Sequence, residues 1–183
     1  MPQRNAKTRE DVNAIAESIR KQQRQNKRNR ARLRKNAQYG NYIVAGTQLP
    51  ARSVVARYPV VLKRCVNNLR PNNYANAHYQ IDSGRKDRKG RDLCYFVDWE
   101  RVSEVRPIGK KGDTVPFTGP FANTSKRQKN NARFDYMSSS RVTKACPRVN
   151  CKTEFSLYTT APIKKGRQTF LDYGERHDAF GRS

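Results

Sequence analysis

The apolar residues Val12, Ile15, Ala16 and Ile19 recur at the three- and four-residue intervals that line one face of a helix. Thr8 stands three residues before Asp11, a pairing that caps a first helical turn, so the pattern predicts a helix starting near residue 9. From Arg20 the chain reads "RKQQRQNKRNRARLRKN", and no apolar stripe continues beyond Leu33. Such a stretch has no face of its own to bury and is expected to need a partner to be ordered. After Gly40 the texture changes to short runs rich in β-branched and aromatic residues: "YIVAG", "SVVARYPVVL", "AHYQI", "LCYFVDW", "FSLYTT" and "QTFLDYG". Turn signals such as "LRPNN", "DSGRKDRKG" and "IGKKGD" separate them. The expectation is a mainly β (α+β) domain of several small sheets over residues 39–183, preceded by a basic, partly helical arm over residues 1–38. Trp99, at the end of a strand-like run, is expected in the core.

Composition limits what this pattern can build. The 183 residues, 35 % of them hydrophobic, suit one compact domain with a modest core and an arm. Lys and Arg outnumber Asp and Glu by 39 to 15, a net charge of +24 that calls for nucleic acid, an anionic membrane or an acidic protein face. Residues 1–38 carry +9 of it and the remainder +15, so arm and body are both basic. The candidate partner-binding side chains of the arm are Arg20, Lys21, Arg24, Lys27, Arg28, Arg30, Arg32, Arg34 and Lys35. No apolar run reaches the length of a membrane span, and the N-terminus lacks the apolar centre of a signal peptide, so secretion by that route is not expected.

Four cysteines are present, and only Cys146 and Cys151, in "CPRVNC", are close in sequence. One such pair without a second does not make a structural zinc site. Reduced thiols in a cytosolic or nuclear protein are expected, with a Cys146–Cys151 hairpin disulfide as the alternative in an oxidising medium. His78 and His177 are the only histidines, so no metal centre is expected.

Three segments, in order, carry a resemblance. Residues 40–62, "GNYIVAGTQLPARSVVARYPVVL", give a glycine turn, a strand ending in Ala, a proline step and a strand ending at a Tyr. "FANTSKRQKNNARFD" puts Asn123 before a Thr-Ser pair and closes on Asn131-Ala132-Arg133, and "LYTTAPIKKGRQTFLDYG" ends on Asp172-Tyr173-Gly174. Together they resemble the SET domain, the fold of protein-lysine methyltransferases, and are most similar to the small single-domain SET proteins of large algal DNA viruses. The resemblance implies a β-clip of small sheets with a threaded C-terminal segment. It implies an S-adenosylmethionine pocket shaped by Gly40 and Asn41, contacted by Asn123 and Thr124 and covered by Phe180, with Tyr173 at the point of methyl transfer. Such chemistry asks for alignment of a neutral lysine with the methyl group more than for acid-base groups.

The departures fall on the cofactor side. The family's Gly-x-Gly turn reads Gly40-Asn41-Tyr42, placing a ring where backbone lies close to the ligand. Thr124 stands in place of a histidine, Tyr58-Pro59-Val60 in place of Tyr-x-Gly, and Arg167 and Gln168 in place of two carboxylates. The functional expectation is therefore a degenerate SET domain without cofactor. It would serve as a minor capsid or other virion component of a large DNA virus, its basic arm docked on acidic capsid proteins or on nucleic-acid backbone. The alternative is an active S-adenosylmethionine-dependent protein-lysine (histone) methyltransferase. The corresponding locations are the virion, or the host nucleus or cytoplasm.

Overall fold

The computed structural model describes residues 8–66, 80–123, 129–134 and 144–172. Helix α1, Arg9–Gln23, begins as its cap dictates: Asp11 N donates to Thr8 Oγ1 at 3.1 Å, and Thr8 N donates to Asp11 Oδ2 at 2.9 Å. These bonds satisfy amides that the first turn would leave unpaired. The helix buries Val12, Ala16, Ile19 and Gln23.

The chain that follows α1 overturns the expectation of an arm ordered only by a partner. Strand β1, Ala31–Asn36, pairs antiparallel with β2, Gly40–Ala45, in a register running from Ala31↔Ala45 to Asn36↔Gly40. Ala31 and Leu33 are fully buried beside Ile43 and Ala45, in the same core as Val12, Ala16 and Ile19. Two inward side chains are enough for a short strand of period two, so an arginine-rich sequence can be part of the core. Gln23 Oε1 accepts from Leu33 N at 2.7 Å, locking the end of α1 to β1. A boundary between residues 38 and 39 would fall inside the turn of this hairpin.

Among the described residues the main sheet has six strands. They are β3 (Val54–Arg64), β4 (Ile81–Lys86), β5 (Asp92–Val97), β8 (Ala132–Phe134), β9 (Lys152–Thr159) and β10 (Leu171–Asp172). The spatial order is β10-β8-β9-β3-β5-β4, with β10 parallel to β8. A further hairpin pairs β6, Val105–Ile108, with β7, Asp113–Pro116. Thus "DSGRKDRKG" and "IGKKGD", expected as turns, also supply strand residues, because the turns themselves occupy only their centres. Tyr58, Phe134, Phe155 and Tyr95 form a chain of edge-on ring contacts with centroids 5.0–6.2 Å apart. Trp99 is buried against Phe121, as its sequence position suggests.

The cysteines are not reduced. Cys65 is bonded to Cys94 and Cys146 to Cys151, with Cα–Cα distances of 4.9 and 5.3 Å. The first pairing was invisible to sequence spacing because 29 residues separate the partners, which the β3–β5 pairing brings together. No helix among the described residues is long and apolar enough to cross a membrane.

Candidate functional site

Of the residues expected around the cofactor, Gly40, Asn41 and Asn123 meet where the start of β2 approaches a short 3₁₀ turn, Gly119–Phe121, and the segment leading into β10. That turn is pressed onto β3: a Cβ at Gly119 would lie 2.7 Å from the Arg57 carbonyl. This close approach fixes the course of the chain into Asn123. Asn123 forms a parallel bridge with Phe170 and its carbonyl accepts from Leu171 N at 2.8 Å, so it lies beside the approach to Asp172. Asn131 strengthens the same junction, donating through Nδ2 to the Gln168 carbonyl at 3.1 Å and accepting from Phe170 N at 2.8 Å.

The side chain of Asn123 faces the β1–β2 turn. Its Nδ2 lies 3.3 Å from both the Tyr39 and the Asn41 carbonyls. Gly40, between them, has φ +64°, a conformation suited to glycine. Asn41 in turn is held by α1: Arg20 donates to its Oδ1 at 2.6 Å, and its Nδ2 donates to Asn13 Oδ1 at 3.1 Å. The Tyr39 ring packs 6.0 Å from that of Tyr42 and 6.2 Å from that of Phe170. The loop read as a cofactor cradle is therefore engaged on one side by α1 and on the other by Asn123, with aromatic rings between. Asn13 carried no sequence signal for this role, because the contact depends on the packing of α1 across the hairpin. Thr124, Tyr173 and Phe180 lie outside the described residues.

The basic side chains take up several roles. Lys21 pairs with Glu17 at 3.3 Å on α1. Arg28 and Arg30 converge on Asp113, at 3.8 and 3.6 Å, and Arg30 also donates to the Val54 carbonyl at 3.2 Å. Arg32 donates to the Asn26 carbonyl at 3.3 Å. Arg24, Lys27, Arg34 and Lys35 are exposed and form no ion pair among the described residues. Elsewhere Glu154 accepts from Arg101 at 2.8 Å and Arg106 at 2.5 Å, while both guanidinium groups lie over the Phe117 ring. Burial opposes ionisation of Glu154, but the hydrogen bond and charge of Arg101, with those of Arg106, outweigh it and hold its carboxyl below the ordinary value. This cluster ties β6 to β9 and is structural. Among the described residues no group of His, Cys, Asp and Glu is arranged to hold a metal ion.

Neither a family model nor a curated protein matches the sequence. The SET domain of ATXR5, solved in complex with a dimethylated histone H3, aligns with a TM-score of 0.50 over 94 % of this chain and 70 % of that one, at 14 % identity. The fold is SET-like. A Plasmodium falciparum protein assigned as a histone methyltransferase aligns at a TM-score of 0.45 and 15 % identity, over 80 % of this chain and 94 % of its own. At 14 % identity the likeness to ATXR5 speaks for the fold and not for its chemistry. In this SET-like fold the Asn123 segment and the Phe170–Asp172 segment are neighbours, and the glycine turn is contacted by Asn123 and, through Asn41, by α1.

Proposed function

We propose that this chain is a binding component of a larger assembly, of the minor capsid kind, built on a SET-like fold whose cofactor loop has become part of its own packing. The observation that carries the reading is the engagement of Asn123 by the Tyr39 and Asn41 carbonyls, with Asn41 itself held by Arg20 and Asn13. A loop held in this way keeps its hydrogen-bonding groups for the protein and offers few to a methyl donor. The two disulfides fit a protein that works in an oxidising setting such as a released particle, and sit poorly with an enzyme of the reducing nucleus. The net charge of +24 supplies the attraction to acidic partners.

Calorimetric titration with S-adenosylmethionine tests the reading. The expected result is no saturable heat. Saturable binding accompanied by methyl transfer to histone, with the transfer abolished by Tyr173→Phe, would overturn it in favour of a protein-lysine methyltransferase.

A further inference from the structure

The outer face of the β1–β2 hairpin carries a feature that the reading of a flexible arm would miss. Along β1 the inward Ala31 and Leu33 alternate with Arg30, Arg32 and Arg34, so these guanidinium-bearing residues share one face at the two-residue repeat of a strand. α1 lies on the other face, where Arg20 and Asn13 meet Asn41, the register partner of Lys35. The helix does not cover this face, but Arg30 and Arg32 are half-buried and donate to the Val54 and Asn26 carbonyls, so Arg34 is the exposed guanidinium of the row.

The Arg28–Arg30 end of this row, and the flank of β2 at Ala45, the register partner of Ala31, are extended by exposed lysines from elsewhere in the chain. At one end Arg30 N donates to the Thr114 carbonyl and Thr114 N to the Arg28 carbonyl, seating residues 28–30 against β7. The Arg28 guanidinium lies against Gly112, which brings it to the β6–β7 turn bearing Lys110 and Lys111. Along the flank, Ala45 N donates to the Arg167 carbonyl and Gly166 N to the Ala45 carbonyl, placing the exposed Lys164, Lys165 and Arg167 beside β2. Asp113 is the acidic group paired with this band, and it meets only Arg28 and Arg30. The extended part of the band, Ala31–Asn36, spans about 17 Å.

We infer that this band is a nucleic-acid backbone site, in which the exposed Arg34, Lys110, Lys111, Lys164, Lys165 and Arg167 meet phosphates without reading bases. The inference rests on the reading of the chain as a binding component. An acidic protein is the weaker match, because protein interfaces centre on apolar and aromatic anchors. Of the exposed large hydrophobics among the described residues, Val149 lies outside the band, and Val105 sits on β6 at the end of its hairpin away from Lys110 and Lys111. A surface of charge without anchors suits phosphates, whose binding is carried by release of counterions. With about six phosphates neutralised, the slope of log affinity against log salt is about −5, and affinity falls about 10³-fold between about 50 and 200 mM salt.

The test is a salt titration of the full chain against a 20-base-pair duplex of arbitrary sequence, with polyglutamate as competitor. The triple variant Arg34→Ala, Lys110→Ala, Lys111→Ala should make the slope shallower by nearly three, one contact each. The control pair Arg88→Ala and Lys89→Ala, on the β4–β5 turn, should leave it unchanged. Thermal unfolding of each variant confirms that folding is retained at these exposed positions. Equal losses in both sets would mean diffuse polycation binding and overturn the inference, as would a slope shallower than about −2 in the parent. Polyglutamate competing as well as DNA would overturn it in favour of an acidic protein. Binding of S-adenosylmethionine with an intact, localised salt slope would overturn the proposed function and leave the nucleic-acid strip standing.

Discussion

Gly46 is the residue at which the hairpin and the preceding segment approach most closely. A Cβ there would lie 1.9 Å from the Asn29 carbonyl oxygen, and backbone cannot swing aside as a side chain can. The same glycine donates its N–H to the Arg30 carbonyl at 2.8 Å, so relieving the clash would also break that bond. Gly46→Ala is expected to cost about 3 kcal/mol or more, read from the urea midpoint, or to prevent folding. Asp87 acts through its charge. Its carboxylate accepts from the amides of Arg91 at 3.0 Å and Lys89 at 2.8 Å and from the Arg91 side chain at 2.8 Å, and Arg64 lies 3.3 Å away. The Arg91 amide is the largest influence; against the opposing effect of burial, these contacts lower its pKa from 3.8 to about 2. The folded pKa is depressed, so this stabilisation is fully present above 3.8 and is lost as pH falls through about 2. Asp87→Asn should therefore be less stable than the parent at neutral pH, and the gap between their urea midpoints should narrow across that acid window. A gap that stays constant with pH would show that the carboxylate charge is not the source.

At the scale of elements, the N-terminal segment decides whether the body can fold. α1 and β1 place Val12, Ile19 and Leu33 in the core at 3 % exposure or less, each contributing about 1.5–3 kcal/mol by burial. Their joint loss is comparable with the whole stability of a small domain. A chain beginning at residue 39 also leaves one edge of β2 unpaired. Such a chain is expected to show no cooperative thermal transition and to bind a hydrophobic dye, whereas a dispensable arm would leave the transition intact. The same elements show what the sequence could disclose. α1 was legible because its cap and its apolar spacing are local, within four residues of one another. β1 was not, because two apolar residues among arginines give a period-two signal too short to distinguish from chance. The resemblance singled out Asn123 and Asn131, and in the structure both bond to residues 168–171, a contact that no motif spelled out. The contacts of Asn41 with Arg20 and Asn13 were illegible, since they arise from helix packing and not from any motif.

For the molecule as a whole, a charge of +24 opposes compaction, and the apolar core must hold against it. The two disulfides act on the unfolded side of that balance. Cys65–Cys94 closes a separation of 29 residues and Cys146–Cys151 one of 5. In the chain-entropy description these constrain the unfolded state by about 3.6 and about 2.2 kcal/mol respectively. Substituting cysteines also disturbs packing, since Cys94 and Cys146 are almost wholly buried. The clean measurement is therefore the change in unfolding free energy on adding reductant within each protein, which cancels the packing effect of the substitution. For the parent, that change should be a loss of about 6 kcal/mol. In the Cys146→Ala, Cys151→Ala variant only the longer bridge remains to be reduced, and the loss should be about 3.6 kcal/mol. In the Cys65→Ala, Cys94→Ala variant it should fall to about 2.2 kcal/mol. Equal losses in the two variants would show that loop closure does not set the contribution of either bridge, and no loss in the parent would show that the thiols are not paired in solution. A large loss would also tie the stability of so basic a chain to an oxidising surrounding.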